Sequence, residues 1–345
     1  MSSSWPLLVL LALCSVASGY VYQCEPGTAT TLCSIWNLQY NAAAIAKHPE
    51  RLPSVNVPAT VRTVRLLYEM YYYSRRKQLI RYDTTLHTTV LHNPTALVIC
   101  DTRLRQLVLP PELQVAYLSN NIISVFETDP NKTYAIRYLD LSHNSFKQLA
   151  NLSALVQLQT LNLDGNRIQT IETSVFARMA NLTHLYLGDN MFKKIDLQQL
   201  PKALSVLWML RNELDELTLP GVSLPALREL DIENNALHSL DLAAMFAAFP
   251  ALEVLPIAYN AFAKEEAERI IADLKRHNVT YYIGMEGIDD ESCDSDEYSV
   301  DNLCFTDSML GARTFFKGIV LLVLAALVVV MFGFSVRWIW YQMRY

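Results

Sequence analysis

Through the middle of the chain, apolar residues recur in one frame: apolar-x-x-apolar-x-apolar-x-x-Asn-x-apolar, with polar residues in the gaps. Leu158, Leu161, Leu163, Asn166 and Ile168 fill it once, and Leu182, Leu185, Leu187, Asn190 and Phe192 fill it again. The frame is marked by Asn121, Asn144, Asn166, Asn190, Asn212, Asn235 and Asn260, at intervals of 23, 22, 24, 22, 23 and 25 residues. Ala116 is its one weak core position. The short apolar/polar alternation predicts one strand per repeat, with successive side chains on opposite faces. Such a unit cannot bury its own apolar face and gains a core only by stacking on its neighbours. The turn leaving each strand aims backbone N–H and C=O groups inward, and a buried carboxamide, donor and acceptor at once, can pair with them in adjacent coils. The asparagines are therefore read as structural.

Seven such frames in phase make a leucine-rich repeat, which sets the fold class as α/β: a curved solenoid with parallel β-strands on its concave face. Return segments such as Ile171 to Phe176, and Leu240 with Phe246 and Phe249, match the extracellular type. The repeats are placed at residues 96–262, opening on a degenerate unit of Leu97, Ile99, Thr102 and Leu104. Residues 20–95 lack the frame. They interleave Tyr68, Tyr71, Tyr72, Tyr73 and Tyr82 with Arg62, Arg65, Arg75, Arg76, Lys77 and Arg81, and are read as an N-terminal cap. Residues 263–285 form the C-terminal cap, with Ile270, Ile271 and Leu274 on one face of an amphipathic helix from Lys264 to His277. The acidic residues 286–316 read as a juxtamembrane stalk, in which Tyr298 has the setting of a sulfation site.

Two apolar runs set the compartment. Residues 1–19 read as a signal peptide, ending in the small residues Ala17, Ser18 and Gly19. Residues 317–336 read as one transmembrane helix: the uncharged stretch from Gly318 to Val336 spans about 30 Å of hydrocarbon. Arg337 stops the transfer, and residues 337–345 are left as a cytosolic tail too short for a signalling domain. The expectation is a single-pass type I protein of the plasma membrane with its repeats outside. Asn131, Asn151, Asn181 and Asn278 head N-glycosylation sequons. Five cysteines remain after loss of Cys14; the simplest scheme pairs Cys24 with Cys33 and Cys293 with Cys304. Cys100 is then left over, as a buried filler or as a link to a partner chain, so that a disulfide- or helix-mediated oligomer stays open.

A net charge of −6 argues against a general nucleic-acid binder. On the predicted concave face, Tyr138, His184, Tyr186, Trp208 and Leu210 form an exposed, largely aromatic surface, followed by the carboxylates Glu229, Asp231 and Glu233. That composition suits a protein-binding hot spot. On an open face these carboxylates are expected neither to have shifted pKa values nor to complete a metal site. No H-E-x-x-H, G-x-S-x-G, C-x-x-C or glycine-rich phosphate loop occurs, so neither catalysis nor a cofactor is expected.

The secretory start, Tyr22-Gln23-Cys24 with Cys33, the repeat ending at Asn144, the closing run from Leu252 to Asn260 and the terminal apolar span resemble the leucine-rich immune proteins of mosquitoes, in particular their transmembrane subgroup. The resemblance implies a non-enzymatic innate-immunity receptor or co-receptor with a protein ligand. Soluble members carry further C-terminal cysteines and coiled coils that make disulfide-linked dimers stabilising complement-like proteins; both features are missing here, and neither property is carried over. The other reading is a developmental adhesion or guidance protein using the same face.

Overall fold

The computed structural model describes residues 20–27, 30–68, 79–172, 174–282, 293–294 and 297–306. The predicted signal peptide (1–19), membrane helix (317–336) and tail (337–345) lie outside the described residues. Tyr71, Tyr72, Tyr73, Arg75, Arg76 and Lys77 do so too. Among the described residues no helix is long and apolar enough to cross a membrane.

A ten-stranded sheet runs the length of the solenoid. Its strands are Glu25–Pro26, Leu32–Trp36, Thr63–Leu67, Ala96–Val98, Val115–Tyr117, Tyr138–Asp140, Thr160–Asn162, His184–Tyr186, Val206–Trp208 and Glu229–Asp231. All neighbours are parallel except the first pair. The strand expected in the repeat that Asn260 marks is reduced to single bridges from Val254 to Glu229 and to Thr280; Pro256, two residues on, has no N–H to give a ladder.

Leu139, Leu161, Leu185, Leu207 and Leu230 lie in register, each fully buried, and form the core stripe. Ala116 occupies the same stripe at 0 % exposure. The stripe continues upstream through Leu97, Val64 and Cys33, so the solenoid's strand pattern extends into residues 20–95. These positions are unevenly spaced in the chain. Their return segments are long and irregular and include the helix Ala42–Lys47 and the buried pair Tyr82 and His87. No constant interval could reveal them.

The asparagine ladder performs the predicted pairing. Asn166 donates from Nδ2 to the carbonyls of Leu141 (3.0 Å) in the preceding coil and Leu163 (2.9 Å) in its own, while its Oδ1 accepts the Phe146 N–H (3.0 Å). Asn144, Asn190, Asn212, Asn235 and Asn260 repeat the scheme. In the first repeat Thr102 stands in the asparagine position, and Asn121 Oδ1 receives both its N–H and its hydroxyl. The residue before each asparagine has positive φ: Asn120, His143, Gly165, Asp189, Arg211, Asn234 and Tyr259. Gly, Asn and Asp tolerate this region with least strain, and they hold four of the seven places.

At the C-terminal end the helix Lys264–Arg276 buries Ala267, Ile270, Ile271 and Leu274 against the last coil. Beyond it the structure corrects the stalk reading for residues 297–306; residues 286–292, 295–296 and 307–316 lie outside the described residues. Residues Glu297–Val300 and Leu303–Thr306 form an antiparallel hairpin. It is joined to the coil by Tyr259 N–H to Cys304 O (2.7 Å) and Thr306 N–H to Asn260 O (2.9 Å). Phe305 is buried beside Phe262, and the half-buried Tyr298 stacks on Phe305 and donates its hydroxyl to Phe262 O (2.6 Å). That hydroxyl is a packing contact in the end cap, unlike the free phenol a sulfation site needs. Acidic composition hid the alternating Tyr298, Val300, Leu303 and Phe305 that close the core.

Cys24 is bonded to Cys33 and Cys293 to Cys304, with Cα separations of 5.2 and 5.5 Å. Cys100 is unpaired and only half-buried. It sits on the concave face, where its sulfur accepts the Ser119 hydroxyl at 3.4 Å, which corrects the buried-filler reading.

Candidate functional site

Alternation along each strand sends one set of side chains into the core and the other to the concave face. Strand pairing then aligns the second set in three rows across the coils. The first row contains Tyr138, Thr160, His184, Val206 and Glu229; the second contains Asp140, Asn162, Tyr186, Trp208 and Asp231. The third continues the frame two residues further on, through Ser142, Asp164, Gly188, Leu210 and Glu233. All eight predicted ligand-contact residues therefore share one face. Tyr117, Asp140 and Asp164 join them there, and so does Arg65 from a coil that the repeat frame does not reach.

The aromatic residues make two pairs. Tyr186 and Trp208 meet edge to face with centroids 4.8 Å apart and an interplanar angle of 78°. Tyr117 and Tyr138 lie 4.8 Å apart at 42°. His184 extends the first pair, 6.5 Å from Tyr186, and its Nδ1 is 2.9 Å from the Thr183 hydroxyl. Mutual covering leaves Tyr138, His184, Tyr186, Trp208 and Leu210 half-buried where the sequence suggested an exposed surface. The Trp208 indole N–H donates to Glu229 at 2.6 Å, which fixes the ring's orientation. Burial holds the Tyr138 phenol at a raised pKa of about 12 and raises that of Tyr186 as well.

The carboxylates depart furthest from expectation. Asp231 is only 4 % exposed, and its Oδ1 accepts the Glu233 N–H at 3.0 Å. The same i to i+2 closure ties Asp140 to Ser142 and Asn162 to Asp164. Asp164 also reaches across to the neighbouring coil, where it accepts the Gly188 N–H at 2.6 Å. A Cβ at Gly188 would meet Leu210 Cδ2 at 2.8 Å and Asp164 Oδ1 at 3.2 Å, so a larger residue there would displace the end of the Leu210 side chain. Burial raises Asp164 to about 6, against the lowering effect of the Gly188 N–H. It raises Asp231 to about 6, opposed by the Glu233 N–H and reinforced by Glu229. Glu233 goes up to about 7 through burial and the Asp231 charge, with Arg211 pulling the other way. For Asp231 and Glu233 the expectation of unshifted carboxylates is thus corrected: the curved face and its close-set side chains desolvate these two without an enclosed pocket.

The sequons stand clear of these rows. Asn131, Asn181 and Asn278 are exposed in turns. Asn151 is exposed on the return side, and its Nδ2 donates to Phe126 O at 2.6 Å.

Comparison with known proteins agrees with this architecture. The family description "Leucine rich repeat" matches residues 111–168 and 156–214. Residues 111–214 thus carry leucine-rich repeats. It is similar to keratocan of Danio rerio, with 32 % identity over 41 % of this chain and 36 % of keratocan. Toll-like receptor 2 of Capra hircus is 29 % identical over 39 % of this chain and 20 % of the receptor. The matched region thus spans about a third of keratocan and a fifth of the receptor. Among solved structures, the leucine-rich repeat domain of mosquito APL1B superposes with a TM-score of 0.51 at 18 % identity, covering 74 % of this chain and 78 % of that one. A Toll-like receptor 13 chain solved with single-stranded RNA gives 0.50 at 24 % identity, over 59 % of this chain and 29 % of that one. These two likenesses show the fold.

Proposed function

We propose that this is a non-enzymatic cell-surface receptor or co-receptor of innate immunity, a single-pass type I protein that binds a protein ligand through its concave face. The carrying observation is the Tyr186–Trp208 pair, half-buried on an otherwise open sheet and bordered by Glu229, Asp231 and Glu233. Large aromatics of fixed orientation lose little conformational freedom when a partner covers them, and carboxylates beside them supply specificity. The rows from Leu32 to Glu229 give a face about 40 Å long at roughly 4.8 Å per strand, enough for a contact of about 800 Å² per partner. The immune assignment draws on the similarity to Toll-like receptor 2, on the APL1B-like fold and on the mosquito-family resemblance. The membrane address draws on the apolar segment at 317–336.

Full-length protein tagged after Tyr20 and after Tyr345 tests both halves of this reading. The first tag is expected to be accessible on intact cells and the second only after permeabilisation. Reversed accessibility refutes the topology. Proximity labelling from the external tag is expected to mark an extracellular protein that disappears with Trp208→Ala at equal surface level. A labelled set unchanged by Trp208→Ala refutes the concave site. Induction of the protein on infection and its presence in blood cells favour the immune reading over adhesion or guidance.

A further inference from the structure

Over the five coils from Tyr138 to Glu233, the three concave rows contain Asp140, Asp164, Glu229, Asp231 and Glu233 and not one lysine or arginine. Arg137 and Arg228 immediately precede the first row, Arg228 being paired with Glu253 at 2.8 Å, and Arg211 stands at the turn before Asn212, where its guanidinium lies 3.4 Å from Asp189. Trp208 is in register with Asp231, so Glu229 and Glu233, two residues to either side of Asp231, border the indole along the neighbouring strand. At the other end of the sheet the concave rows hold one base, Arg65, and one acid, Glu25, which accepts the Trp36 indole N–H at 2.8 Å. The acidic excess lies over the coils from Tyr138 to Glu233.

We propose that the ligand is a protein that presents an arginine or lysine side chain to this patch, with its cationic head between the Tyr186–Trp208 rings and the Glu229 and Glu233 carboxylates. The inference rests on the concave-face reading and names the chemistry of that partner. An interface centred on Trp208 dehydrates both glutamates. Glu229 has one neutral donor, the indole N–H, and Glu233 has only the opposing influence of Arg211. Covering these carboxylates in their ionised forms, which Glu233 adopts above about pH 7, with an apolar or acidic surface leaves buried charge uncompensated and opposes the gain from the aromatic contact. A guanidinium or ammonium group supplies the missing charge, donates to the free carboxylate lone pairs and is attracted to the ring faces. Guanidinium suits the site better, since it is planar and bonds in a fork. A carbohydrate could also stack on the aromatic residues, but its neutral hydroxyls do not offset the charge.

The full-length protein, solubilised in detergent, is to be panned against phage displaying random twelve-residue peptides at 0.15 M NaCl. The recovered pool is expected to be rich in arginine and lysine. Binding of its best synthetic peptide is expected to fall at least tenfold with Trp208→Ala, with the double variant Glu229→Gln/Glu233→Gln, and when each arginine of the peptide is replaced by citrulline. The glutamines keep side-chain length and acceptor capacity, and melting of the double variant no lower than that of wild type separates lost charge from lost fold. A pool that needs Trp208 but is neutral or acidic overturns the cationic inference and leaves the concave site standing. Retention of a neutral glycan on Trp208, undiminished in the double variant, does the same. If no recovered peptide depends on Trp208, the concave-face reading itself fails.

Discussion

Asn166 and Asp164 are two residues apart in one coil, both polar and both shielded by neighbouring coils, yet they lie in opposite regimes. Asn166 points into the ladder, where donor and acceptor alike meet backbone partners. Asp164 points to the concave face. It binds the Gly188 N–H, and burial still raises its pKa to about 6. The ladder matches a neutral group to neutral partners, so burying it stabilises the fold. The concave row keeps charged groups in partial dehydration with too few cations, an arrangement that works against folding and favours a partner able to offset it. Stability and recognition thus occupy adjacent positions of the same repeat.

The largest test of this contrast is Asn166→Ala, which strands backbone groups in two coils. Thermal or chemical unfolding should show a loss of about 1 to 3 kcal/mol. The loss for Asn212→Ala should be smaller, because Asn212 is half-buried and water can replace part of its bonding. Equal stability of wild type and Asn166→Ala would remove the structural role of the ladder.

On the concave side the corresponding change is Trp208→Ala. It should weaken binding of the identified ligand by about 2 kcal/mol with little effect on melting. A large loss of stability instead would class Trp208 with the ladder as a packing residue.

A third test uses pH. Asp164, Asp231 and Glu233 have folded pKa values of about 6, 6 and 7, above their ordinary values of 3.8, 3.8 and 4.5. The folded state therefore holds protons that the unfolded chain releases. The stabilisation from these groups is complete below about pH 4 and is lost as pH rises through 6 to 7. His87 acts with the opposite sign: burial lowers it from 6.5 to about 4, so its contribution is lost as pH falls through that window. Glu233→Gln isolates the first effect. The variant should melt higher than wild type at pH 7.5 and together with it at pH 4. An equal melting temperature at pH 7.5 would show that Glu233 carries its charge without cost.

The smallest change belongs to Asp231→Asn. The side chain is buried beneath the face and retains an acceptor for the Glu233 N–H. Ligand binding should shift by well under the Trp208 effect. A loss as large as that of Trp208→Ala would place Asp231 in direct contact with the ligand.

Legibility in the sequence followed the regularity of the chain. Coils 22 to 25 residues apart announced themselves, because a stacked core requires apolar residues to return at the same place in every turn. Cys33 and Val64 obey the same packing rule outside the constant interval, and Arg65 went unassigned to the face with them. The end hairpin was hidden by the acids around Tyr298, Cys304 and Phe305, whose burial depends on the last coil beneath them. For the candidate site, strand alternation placed all eight residues on the concave face. Which of them stay accessible was not visible, since covering comes from adjacent coils.

The sequence by itself determined the repeat, its strands, the ladder and the residues of the concave rows, because each follows from periodicity along one chain. Only the tertiary structure decided how many strands join the sheet, that Trp208 is fixed by Glu229, that Asp231 is covered, and that Glu233 keeps its proton up to about pH 7. Those outcomes depend on side chains brought together from neighbouring coils, where distance and dehydration set the chemistry.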